Sequence, residues 1–75
     1  MTNEELLEEA YAVAREETRL TNLGRQGFWM LRALFLMRQR VRLNQLERIA
    51  RKRGMVDPFD MVVGDAQDDE NRGSL

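Results

Sequence analysis

Three stretches of different periodicity follow one another along the chain. In the first, Leu6, Leu7, Ala10, Tyr11, Val13 and Ala14 recur at three- and four-residue intervals. At about 100° per residue they share one arc of a helix, while Glu4, Glu5, Glu8, Glu9, Arg15, Glu16 and Arg19 share the other. The spacing predicts an amphipathic helix over residues 3–20. Thr2 and Glu5 have the capping-box spacing, and the early glutamates put negative charge where a helix N-terminus favours it. The like-charged pairs Glu4/Glu8 and Glu5/Glu9 cost a little helix stability. Either that cost is tolerated, or the acidic face meets a basic surface, its own or a partner's. Thr21-Asn22-Leu23-Gly24 reads as a turn.

A second helix is expected from near Arg25 or Gly27. Between Phe28 and Met37 apolar side chains point in nearly every direction, which predicts a helix covered on most sides and therefore the central one. Phe28, Trp29 and Phe35 are its core aromatics, with Trp29 the one that would otherwise anchor a partner. From Arg38 the pattern turns amphipathic. Leu43, Leu46, Ile49 and Ala50 fall on one side, and Arg40, Arg48, Arg51 and Lys52 on the other. Asn44 and Glu47 have N-cap spacing, and a helix-turn-helix-like break is expected near residues 40–44, although no Gly or Pro interrupts residues 28–53. Arg51-Lys52-Arg53 suit a helix C-terminus, and Gly54 can supply its left-handed cap.

In the third stretch, Asp57-Pro58 either caps one short helical turn ending at Gly64 or opens an extended segment. Phe59, Met61, Val62 and Val63 accordingly either seal the core or form an exposed strip. From Asp65 the residues are acidic and polar without a hydrophobic period, a composition that predicts disorder. The expected fold is all-α: a small three-helix domain over residues 1–64, then a disordered acidic tail over 65–75. Its core would use Leu6, Ala10, Val13, Phe28, Leu31, Leu34, Phe35, Leu46 and Ile49.

Charge adds what periodicity does not. The 75 residues carry a net charge of only −1. That total hides an acid–base–acid pattern, because residues 25–53 hold nine basic side chains against the single acid Glu47, and both flanks are acidic. A chain this short makes one domain at most, with a core that is compact or completed by a partner. It has no cysteine and no histidine, so a thiolate or imidazole metal site and the commonest general base are excluded. Ser74 is the lone serine, there is no phosphate-cradling glycine loop, and the aspartates lack the alternation of a calcium loop. An enzyme is not expected, nor is a cofactor. The longest apolar run is about ten residues and falls short of the roughly 20 needed to span a bilayer, and the acidic start is unlike a signal peptide. The expectation is a soluble, intracellular protein.

Interaction is what remains. The arginine-rich helix would neutralise phosphates in a helix-turn-helix-like DNA-binding regulator, but the negative total charge opposes non-specific DNA association, and Asn44 and Gln45 are its few base-reading side chains. It would also present a basic face to a charged protein partner, where complementarity speeds association and fixes orientation. A helix lying on a membrane is disfavoured by the acidic ends. Eleven of the twelve basic residues are arginine, reflecting a GC-rich genome or a use of bidentate contacts to carboxylate or phosphate. Arg40, Arg48, Arg51 and Lys52 are the candidate charged contacts, and Phe59 and Met61 the candidate apolar ones.

With Gly27-Phe28-Trp29-Met30 and the arginine-rich helix running to Gly54, the chain resembles the small phage-encoded regulators of bacterial RNA polymerase, including those of lytic Xanthomonas phages. The resemblance rests on size, arginine bias, missing histidine and cysteine, and helical character across residues 1–64. It implies a protein that docks on host polymerase, blocks initiation by interfering with the sigma factor, and lets elongating polymerase pass terminators. It assigns no individual residue.

Overall fold

Thr2 and Glu5 close the first helix as their spacing predicts. The Glu5 N–H donates to Thr2 Oγ1 at 3.1 Å, and the Thr2 N–H donates to Glu5 Oε1 at 3.3 Å. These contacts hold the Glu5 carboxyl below its ordinary range, the Thr2 hydroxyl contributing most. The computed structural model describes residues 1–22 and 29–73, and all of the regular structure among them is helical. Helix α1 spans Asn3–Asn22, α2 spans Trp29–Lys52 and α3 spans Val56–Gly73. Leu23, Gly24, Arg25 and Phe28 lie outside the described residues, as does the side chain of Trp29. Thr21 and Asn22, expected in the turn, are instead the last residues of α1, and the rest of that turn and the expected start of the second helix fall among the residues not described.

Helix α1 is the central element, not α2 as the apolar density of residues 28–37 suggested. Its buried side chains are Leu6, Ala10, Val13, Ala14 and Leu20. All of them but Leu20 meet Leu43, Leu46 and Ala50 of α2, and Phe59 and Ala66 of α3, in one cluster. The alanines let three backbones approach closely, while Leu6 and Leu46 are the largest fully enclosed side chains. Tyr11, Ile49, Met55, Val62 and Val63 pack around this cluster. Of the expected core, Leu6, Ala10, Val13 and Leu46 are buried and Ile49 is half-buried. Leu31, Leu34 and Phe35 are exposed instead. They lie on the part of α2 that runs beyond the cluster.

No break occurs at residues 40–44: α2 is one helix from Trp29 to Lys52. The run contains no Gly or Pro and is rich in Leu, Met, Arg and Gln, which lose little freedom in a helix. The expected break rested on a long helix leaving nothing to fold back on. That constraint is met differently, since the second half of α2 alone supplies its share of the core. The molecule measures 40 × 25 × 15 Å along its principal axes, the longest close to the length of 24 helical residues at about 1.5 Å each.

Gly54 ends α2 as expected. Its φ is +70°, the Met55 N–H donates to the Ala50 carbonyl at 2.8 Å, and the Gly54 N–H donates to the Arg51 carbonyl at 3.2 Å. This is the Schellman arrangement, and it turns the chain directly into α3. Pro58 sits in the first turn of α3, where its missing N–H costs nothing. Gly64 lies inside the helix and does not end it.

The structure also corrects the acidic tail, because residues 65–73 form the second half of α3. Ala66 is fully enclosed against α1. The Tyr11 hydroxyl donates to Asp69, Arg15 Nε pairs with Glu70 at 3.1 Å, and Asn22 Nδ2 donates to Asn71 Oδ1 at 2.8 Å. Composition predicted disorder because these acids have no apolar period of their own, whereas α1 supplies the donors that receive them.

Leu46→Ala should destabilise the fold by about 2–5 kcal/mol, since it empties an enclosed site, whereas Leu34→Ala should change stability by no more than about 0.5 kcal/mol. Urea titration followed by circular dichroism compares the two. Gly64→Ala should stabilise by about 0.5–1 kcal/mol in the same assay, because a Cβ there meets nothing within 4 Å and glycine is a weak helix former.

Candidate protein-interaction face

The basic run of α2 divides into arginines held by the chain's own polar groups and basic residues that project from it. Arg40 Nη1 lies 3.7 Å from Glu17 Oε1, and Arg42 Nε lies 3.6 Å from Glu9 Oε1, both bridging α2 to α1. Arg51 Nη2 reaches Glu47 Oε1 at 2.8 Å one turn back. Arg53 donates to Asn3 Oδ1 at 3.1 Å and to the Met1 carbonyl at 2.7 Å, which ties down the start of the chain. The acidic face of α1 thus meets a basic surface of its own protein. Exposed pairs of this kind contribute about 0–1 kcal/mol each, so they orient α2 more than they stabilise it.

Among the four basic residues expected to form the contact face, Arg48 and Lys52 project outward without such a pair among the described residues. Arg40 and Arg51 are exposed, but each is engaged within the chain. Phe59 is not available to a partner: it is 3% exposed and belongs to the core. The apolar segment of α3 therefore seals the bundle, with Met61 alone projecting at 69% exposure. Met61 stands on α3, a different helix from the one that carries the candidate arginines.

A surface that the sequence reading did not isolate lies on the first half of α2. Met30, Leu34, Met37 and Val41 are each more than half exposed, at 65, 57, 66 and 56%. They fall within about 60° of arc, on the side of the helix opposite Leu43, Leu46 and Ala50. Leu34, Met37 and Val41 line a shallow groove with Arg38, Arg42 and Gln45. Continuing along that outward side, the residues become Asn44, Gln45, Arg48 and Lys52. One face of α2 is therefore apolar toward its N-terminus and polar-to-basic toward its C-terminus. The four-three-four spacing of the apolar residues was the available signal, masked by Phe35 and Leu36 on other sides of the helix.

No family model, curated protein or solved structure matches this chain. Its own geometry must carry the functional reading. Among the described residues, no group of three acidic side chains is placed to hold a metal ion, and no helix is long and apolar enough to cross a membrane. The most perturbed polar cluster joins α1 to α3. Arg15 holds its proton more tightly than usual because Glu70 accepts from it, and Glu16 is held below the carboxylate range by Arg19. Tyr11 is raised above the ordinary phenol value, first by donating to Asp69 and then by desolvation. The Tyr11 and Arg15 contacts clamp α1 to α3, whereas Glu16 and Arg19 pair within α1.

The Tyr11 shift fixes a pH dependence. A raised folded value means that the hydroxyl's contribution is complete below the unfolded phenol range, near pH ~10, and is lost as pH rises through the folded value. Amides of residues 66–72 should therefore lose hydrogen-exchange protection, relative to those of residues 43–50, as pH is taken from 8 to 11. Tyr11→Phe should show reduced protection already at pH 8 and no such differential change.

Proposed function

We propose that this chain is a protein-interaction module that acts on transcription by docking on bacterial RNA polymerase, as the small phage-encoded regulators it resembles do. The observation that supports docking is the outward face of α2, which no described residue covers and which ends in the projecting cations Arg48 and Lys52. A basic end of this kind steers encounter with an acidic protein surface and fixes orientation. In this reading the protein blocks initiation by sigma interference and permits terminator read-through, both by contact with polymerase. Arg48 and Lys52 make the charged contacts, Arg51 borders them, and Met61 is a separate apolar contact. Arg40 acts from within, holding α2 on α1 through Glu17.

The same face supports a second reading. Asn44, Gln45, Arg48 and Lys52 stand on one side of a helix, and these are side-chain types that read base edges and phosphates in a major groove. The unbroken α2 removes the helix-turn-helix form of that idea. A single helix inserted into the groove is the form that survives.

Arg48→Glu with Lys52→Glu should weaken association with purified polymerase at least tenfold, about 1.4 kcal/mol, while the circular dichroism spectrum stays that of the parent. Both residues are exposed and unpaired among the described residues, so folding gives no competing explanation. Binding at full strength would remove this face from the interface. A shift of naked duplex DNA that falls steeply with salt would favour the groove-binding reading.

A further inference from the structure

Met30, Leu34, Met37 and Val41 have the alternation of four- and three-residue steps that defines a coiled-coil seam, and they sit on the face of α2 turned away from the core. With Leu31 and the stems of Arg38 and Arg40, this strip leaves on the order of 600 Å² of largely apolar surface in water, the size of the largest patch an ordinary monomer carries. We propose that a second copy of this chain covers it, the two α2 helices pairing antiparallel about a two-fold axis between residues 35 and 36.

Area and charge both select this occupant. Doubled across the axis, the strip gives about 1,200 Å², the lower limit of stable specific interfaces. In the antiparallel register, Leu34 is level with Met37 of the second copy, and Met30 with its Val41. Arg38 then lies beside the second copy's Leu31 and Arg40 beside its Ala33, so each arginine stem covers an apolar side chain and no two arginines face each other. A parallel pair continues the same spacing to Asn44 and Arg48, and would stack Arg48 on Arg48 inside the seam. Antiparallel pairing instead leaves Arg48 and Lys52 of each copy at opposite ends, with the two Arg48 positions about 38 Å apart along the axis. The dimer thus keeps both basic ends free.

Sedimentation equilibrium from micromolar to near-millimolar protein tests this. The parent chain should approach twice its 8.8 kDa mass, and Leu34→Glu with Met37→Glu should remain at the monomer mass with unchanged helicity, because both positions are exposed in the monomer. The chain has no cysteine, so register is read without background by mixing a Leu34→Cys chain with a Met37→Cys chain under mild oxidation. The mixture should give a covalent heterodimer faster than either chain alone gives a homodimer. A parent chain that stays monomeric near millimolar concentration overturns the proposal, and loss of polymerase binding by the double-glutamate variant would then assign the strip to polymerase. Rapid crosslinking of the Leu34→Cys chain with itself overturns the antiparallel register.

Discussion

The fold depends on one narrow apolar stripe on α1 serving two helices at once. Leu6, Ala10, Val13 and Ala14 are the shared wall, and two of the four are alanine. Small side chains let α2 and α3 come close from either side, so an 8.8 kDa chain encloses a single core with few large residues. That geometry also fixes how much of each neighbour is used. Residues 43–50 of α2 and 59–66 of α3 reach the wall, and the remainder of α2 runs past it.

Charge follows the same layout. Because α1 lies between α2 and α3, its acids meet the arginines of α2, and its Arg15 meets Glu70 of α3. Acids of α1 meet part of the basic run of α2, while acids of α3 are met by Tyr11 and Arg15 of α1. One exposed side of α2 remains among the described residues, apolar at one end and cationic at the other.

Local signals were legible in the sequence wherever a few neighbouring residues decide the outcome. The Thr2/Glu5 capping box, the two-sided pattern of α1, and the Gly54 cap of α2 each follow from a short stretch of chain. The errors came where a distant residue decides. Asp69, Glu70 and Asn71 look solvating until Tyr11, Arg15 and Asn22 are placed against them. Leu31, Leu34 and Phe35 look like core until the rotation of α2 is known, which leaves all three exposed. Apolar density on α2 indicated a need for cover, and the described residues leave Met30, Leu34, Met37 and Val41 without it. Of the candidate contacts, Arg48, Lys52 and Met61 were legible as exposed positions. Phe59 was not separable from Met61, since only the rotation of α3 decides which of the two turns inward.

The central claim is that the outward side of α2 lies in water in the single folded chain. Solvent paramagnetic relaxation of methyl signals tests it most directly, in protein dilute enough to be monomeric, with a soluble gadolinium probe. Leu34, Met37 and Val41 should relax strongly and Leu6 and Leu46 weakly. If Leu34 and Met37 prove as protected as Leu46 in the monomer, α2 is covered on all sides by its own chain, and the exposed face on which the functional account rests does not exist.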